Sequence, residues 1–254
     1  MNRVLQLLAG VFLAMFTGTT QPGAELIGYW PLDGDARDHS GNGHHGVVMK
    51  NKWSDGPLMA FVEGKIGKAV EFSGSDLISC GNVPLGKNGA LTVAFWAKPQ
   101  KIEQAFGGMV AKQDSNYVKR AFWVGQHPSN GVLAWAQFTP ADAPGTQLKT
   151  NSAVLENGKW VHLAITTDGV FQKIYINGKL HVTSPKTHFG IDDGGDHLVF
   201  GKVEAFWKKA GWYRGQLDEI WIFDGALKEA EIAKIMNGDH QLTPDTKQAP
   251  KDKD

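Results

Sequence analysis

Apolar runs of strand length alternate with short polar, glycine-rich breaks over most of this chain. In residues 91–98, Leu91, Val93, Phe95 and Ala97 fall on one face and Thr92, Ala94, Trp96 and Lys98 on the other, the two-residue period of a β-strand. Val161, Leu163 and Ile165 repeat it in 160–167. Runs of the same kind occupy 26–33, 68–73, 77–80, 108–112, 121–125, 132–138, 173–177, 179–183, 197–201 and 216–223. Asn177-Gly178, between two of them, is the strongest hairpin signal. About a dozen strands without intervening helices predict an all-β protein, an antiparallel two-sheet sandwich. One helix breaks the rule: in 227–236, Leu227, Ile232 and Ile235 form an apolar stripe and Gly238 can end it.

The two ends of the chain read differently. Arg3 followed by an apolar run over 4–16, interrupted by Gln6, has the form of an export signal, with cleavage after Thr19 or Ala24. The run is too short for an ordinary membrane span. Residues 1–24 are therefore read as a signal peptide, 25–238 as one jelly-roll domain, and 239–254, rich in Pro, Lys, Asp, Gln and Thr, as a disordered tail. The expected location is secreted or periplasmic. Lys plus Arg equals Asp plus Glu at 26 each, so no net field draws the protein to nucleic acid or to an anionic membrane. Cys80 is the only cysteine, which rules out an internal disulfide and leaves stability to the core or to the core and a metal.

Two short blocks carry the chemistry. Tyr29-Trp30-Pro31-Leu32-Asp33 runs into Asp38-His39-Ser40-Gly41-Asn42-Gly43-His44-His45-Gly46, and Arg214-Gly215-Gln216-Leu217-Asp218-Glu219-Ile220 lies near the other end. Calcium takes six to eight oxygen ligands. Asp38 offers a carboxylate and Asn42 an amide oxygen, and the glycines let the backbone turn carbonyls inward. Asp33 ends the preceding strand. Asp218 would arrive from the last strand if that strand pairs with the first. The simpler reading is that Asp38 and Asn42 only make turns. Adjacent His44 and His45 point apart in an extended chain and make a poor zinc pair.

These blocks resemble the laminin-G-like members of the concanavalin A-like lectin/glucanase superfamily, as do Gly67-Lys68-Ala69-Val70-Glu71-Phe72-Ser73-Gly74, residues 91–96, Trp160-Val161-His162-Leu163-Ala164 and Ile174-Tyr175-Ile176-Asn177-Gly178-Lys179. The resemblance covers about 26–238. It implies a jelly roll with one short C-terminal helix. It also implies a structural calcium ringed by Asp33, Asp38, Asn42 and Asp218. It does not imply an activity, because such folds hold binders, lyases and hydrolases.

Retaining glycanases of that superfamily set two carboxylates on one strand as Glu-x-Asp-x-x-Glu or Glu-x-Asp-x-Glu, aimed at one face. No such run occurs here, and alternation puts Asp218 and Glu219 on opposite faces. The absence leans against catalysis. A glycan-binding role rests instead on aromatic rings, which stack on the apolar faces of sugars. Trp207, Trp212 and Tyr213 sit in a loop with Lys208, Lys209 and Arg214, and Trp123 and Trp135 sit on strands. These five are the expected ligand-binding residues. The alternatives are a polysaccharide lyase or hydrolase on the same fold, or a protein-interaction domain of the cell surface.

Overall fold

A computed structural model describes residues 24–50, 58–86, 89–100, 102, 107–113, 120–127, 133–138, 147–185, 197–203 and 211–239. The expected leader up to residue 23, the tail from 240 and Trp207 lie outside the described residues.

Two antiparallel sheets face each other. The first has the order β13 (Lys179–Thr183), β12 (Gln172–Ile176), β11 (Val161–Asp168), β6 (Ala90–Pro99), β15 (Arg214–Phe223), β4 (Lys68–Ser73) and β3 (Ala60–Glu63), with β1 (Leu26–Trp30) also paired to β15. The second runs β10 (Gln147–Lys149), β9 (Leu133–Phe138), β8 (Arg120–His127), β7 (Gly107–Gln113), β14 (His197–Phe200), β5 (Asp76–Ser79) and β2 (Val47–Lys50). The inward faces meet in one core that includes Trp30, Phe72, Phe95, Phe122, Phe200 and Ile222. The predicted jelly-roll sandwich is the observed fold.

The alternation read from the sequence sets the register. Leu163 lies opposite Phe95, and Ile165 opposite Val93, all core-facing. The outward face of the first sheet is apolar too, because the helix α1 (Glu229–Met236) packs on it. Leu227, Ile232 and Ile235 bury against Tyr29, Ala94, Ala164, Tyr175 and Trp221. Glu231 reaches back to accept the Lys228 N–H at 2.7 Å, satisfying one free donor of the first turn. At the other end Gly238 takes a φ of 75° and donates to Ile235 O, closing the helix as its glycine predicts.

The long strand β15 organises the site. Its first half, Arg214 to Leu217, pairs with β4. Its second half, Ile220 to Phe223, pairs with β1. The first and last strands of the domain are therefore neighbours. Between the halves lies a seam, where the register against β6 slips between Asp218 and Trp221 and Glu219 adopts a φ of 53°. This is a β-bulge with its extra residue in the left-handed region.

Candidate functional site

The loop after β1 is built around Asp38. Asp38 is buried, and its Oδ1 accepts the N–H groups of Tyr29 at 3.1 Å and Ser40 at 2.8 Å, while Oδ2 accepts that of His44 at 2.9 Å. Burial alone would raise its pKa, but the bonds from Ser40, Tyr29 and His44 outweigh that and hold it low. The Asn42 amide donates to Leu26 O and Ile27 O, both at 2.9 Å. His39 N–H donates to Tyr29 O, and Trp30 Nε1 donates to His44 O. Gly28 leaves the space that the Trp30 indole fills. The loop thus zips onto the edge of β1 that β15 does not use.

The seam gathers a different set. Asp218 is fully buried, and its Oδ2 accepts Lys65 N–H at 2.7 Å and Ile66 N–H at 2.9 Å. The exposed Asp33 accepts Lys68 N–H with Oδ1 at 2.6 Å. Both carboxylates lie against the turn between β3 and β4, where a Cβ on Gly64 would stand 2.7 Å from Asp218 Oδ2 and one on Gly67 would collide with Asp33. Asp218 Oδ1 is buried without a hydrogen-bond partner. Glu219, also buried, accepts the Tyr29 hydroxyl at 3.0 Å on each carboxylate oxygen. Burial pushes Asp218 up to about 7, with Asp33 adding to the shift. Burial pushes Glu219 up to about 8, with the charges of Asp218 and Asp33 adding to it. Burial and Glu219 raise Tyr29 as well.

The four expected calcium ligands therefore fall into two pairs. Asp38 and Asn42 spend their polar atoms on β1 and their own loop, and Asp33 and Asp218 spend theirs on the β3–β4 turn. Among the described residues no three His, Cys, Asp or Glu side chains form a ready metal-ligand set. The seam nevertheless suits a hard cation. It has oxygen-only donors, an orphaned carboxylate oxygen inside, and a glycine turn that a Cβ would fill. His162, buried against the edge of Trp96, has its pKa lowered by burial to about 3 and stays neutral at physiological pH. It is a core residue, not a base.

Of the aromatic candidates, Trp123 lies on the outward face of the second sheet, and Tyr213 lies in the core between the sheets against Phe72. Trp123 pairs with Ala111 and so points away from the core face that carries Val110 and Val124. The strand positions Gly125 and Trp135 are paired; the Trp135 side chain lies outside the described residues. Trp123 packs with Ala111 and Val203 and is only 3% exposed. Val203 N–H donates to Gly211 O, and Gly108 N–H donates to the same oxygen, so the loop that carries Trp207 starts and ends on this sheet. A Cβ on Gly108 would strike Val203, so the glycine is what lets the loop lie this close. Trp212 is half-buried, bridges Lys202 and has the Lys202 ammonium 4.7 Å from its ring centre. Tyr213 is fully enclosed, its hydroxyl donating to Gln216 O at 3.3 Å. Trp96 and Trp221 are buried. Trp160 stays half-exposed beneath Lys98.

No curated protein matches the sequence. Solved structures do. Domain 4 of AbnA, a GH43 extracellular arabinanase from Geobacillus stearothermophilus solved with arabinotriose, is 22% identical with a TM-score of 0.64, over 84% of this chain and 98% of that one. The binding domain of Paraclostridial Mosquitocidal Protein 1 is 17% identical (TM-score 0.61), over 84% of this chain and 52% of that one. The botulinum neurotoxin serotype D ligand-binding domain in complex with N-acetylneuraminic acid is 15% identical (TM-score 0.57), over 84% and 51%. The chain spans about half the length of the two toxin structures. At these identities the likeness is one of fold. A family model of the same architecture matches residues 72–233, from the end of β4 into α1, and the chain thereby belongs to the laminin-G family of the concanavalin A-like lectin/glucanases superfamily.

Proposed function

We propose that this protein is an exported, glycan-binding domain of lectin type whose calcium is structural rather than catalytic. The observation that carries the reading is the meeting of two aromatic groups on one face. Trp123 lies on the outward face of the second sheet, and the segment leading to Trp212 is fastened there at Val203 and Gly211. Trp212 is the ring placed to stack on a sugar, with Lys202 beside it for a hydroxyl or carboxylate. The enclosed Trp123 lies beneath it, packed on Val203. Support also comes from the similar structures solved with arabinotriose and N-acetylneuraminic acid. Export rests on the apolar leader and on an extracellular enzyme among the similar structures. Among the described residues no helix is long and apolar enough to cross a membrane.

Calcium would be held by Asp33 and Asp218 at the seam, with Asp38 and Asn42 bracing the loop beside it. Its contribution would be stability, because an ion that binds only the folded chain shifts the unfolding equilibrium by mass action.

A glycan microarray probed with the mature chain and with Trp212→Ala tests the function. The expected result is binding to one class of glycan and a loss of at least about tenfold in the variant, with its melting temperature unchanged. Binding to no glycan would refute the reading. Release of reducing ends or unsaturated products would favour an enzyme instead.

A further inference from the structure

We infer that the end of the sandwich where both sheets finish in open edge strands, β2 and β3, is the face on which two copies of this chain join. In that dimer β2 pairs antiparallel with β2, and β3 with β3, across a two-fold axis. The dimer does not depend on the glycan reading; only its consequence for binding rests on that reading.

Four of the five large apolar side chains exposed among the described residues lie at this end: Val47 at 63%, Met49 at 51% and Val48 at 41% on β2, and Leu58 at 53% just before β3. Apolar surface concentrated in this way marks an interaction site, whereas single exposed residues do not. Among the described residues β2 pairs with β5 alone and β3 with β4 alone, so each presents an outer row of backbone N–H and C=O groups with no partner strand. The next strands in, β4 and β5, are joined by the short turn Gly74-Ser75, which sets the two open edges at the same end of the sandwich. The opposite end is guarded. There Glu229 of α1 accepts the Leu180 N–H of β13 at 3.1 Å and pairs with Lys179, and β10 ends in the exposed Lys149.

A second copy fits this face better than an unrelated strand does. The two edges lie in layers about 10 Å apart, and one added strand satisfies only one of them. A two-fold axis normal to the sheets meets both at once, because it sets each edge antiparallel to its own copy within its own layer. The sequences suit that pairing. Centred between Val48 and Met49, it puts Val48 opposite Met49 of the second copy and Lys50 opposite Val47. Centred between Phe61 and Val62, it puts those two opposite each other and Glu63 opposite Ala60. No like charges face each other in either pairing. The formal charge of zero adds no long-range repulsion between copies. The same axis keeps the second sheets of both copies in one layer, so their outward faces look the same way. On the glycan reading, the dimer then holds one polymer at two points.

Sedimentation equilibrium of the mature chain, over a concentration series up to about 100 μM, tests this. The expected result is a reversible monomer–dimer equilibrium with no larger species, because a two-fold contact closes on itself. Val47→Lys sets a lysine opposite Lys50 twice in each dimer and should weaken association at least about tenfold, whereas Val47→Glu sets a carboxylate there and should keep or tighten it. Val47 is exposed on the single chain, so both variants should melt with the wild type at low concentration. In the wild type, hydrogen exchange at the β2 amides should slow as concentration rises. A monomer at every concentration overturns the inference: fast exchange at β2 then leaves the edge to a different protein, and slow exchange assigns it to another segment of this chain. A dimer that both variants leave unchanged, or weaken alike, overturns it too. A dimer that follows the charge at position 47 and binds no glycan upholds the inference and refutes only the glycan reading.

Discussion

Asp38 and Glu219 are both buried acids, yet their surroundings drive them in opposite directions. Asp38 is met by three backbone N–H groups and stays ionised at low pH, whereas burial and the charges of Asp218 and Asp33 drive Glu219 up against the bonds that it receives from side chains. Replacing Asp38 with Ala would strand those amides at a cost of about 1–3 kcal/mol for each one left unpaired. The loss should appear as a lower urea midpoint and faster hydrogen exchange at Tyr29, Ser40 and His44. The seam predicts a pH effect of the opposite kind. Asp218 and Glu219 have ordinary values of 3.8 and 4.5 and folded values of about 7 and about 8. Between about pH 4 and pH 8 the folded chain therefore binds more protons than the unfolded one, so stability falls as pH rises across that window. Melting temperatures in chelator should decline from pH 4.5 to pH 8, and calcium should flatten the decline. At this scale the sequence shows which oxygens are available. It does not show that Glu219 turns, because alternation holds only where the ladder is regular and the bulge is set by a change of partner strand.

The elements that the pattern reveals are those buried on at least one face. Strands β4 and β13 match the expected runs residue for residue, and most others differ by one or two positions at an end. Those missed are β2, β3 and β10, each at the edge of a sheet. Every residue of β2 is exposed, so its Val-Val-Met-Lys sequence shows no inside and no outside. The expected helix appears two residues shorter, beginning at Glu229, with its whole stripe buried. Because α1 supplies the cover for the outward face of the first sheet, Ile232→Ala should cost about 2–5 kcal/mol. Thermal melting should show the drop. Hydrogen exchange should rise first in α1 and β13, while the core strands β6 and β11 stay protected.

For the whole molecule, β1 and β15 join the two ends of the domain, and the candidate sites divide between its sheets. The seam and its acids belong to the first sheet, and the aromatic face belongs to the second. The separation is why calcium is assigned to stability and the aromatic face to recognition. The fold was legible because alternation, turns and the ordered family phrases agree. The ligand was not, because recognition depends on which rings a loop leaves uncovered, and burial of Trp123 and Tyr213 depends on a segment more than seventy residues further on for the one and on the tight packing around β15 for the other. Hydrogen–deuterium exchange of the calcium-loaded chain, with and without the glycan selected on the array, measures the central claim most directly. The account predicts added protection at 107–126 and at 201–213, with α1 and the β3–β4 turn unchanged. Protection confined to α1 or the first sheet, or none at saturating glycan, would contradict it.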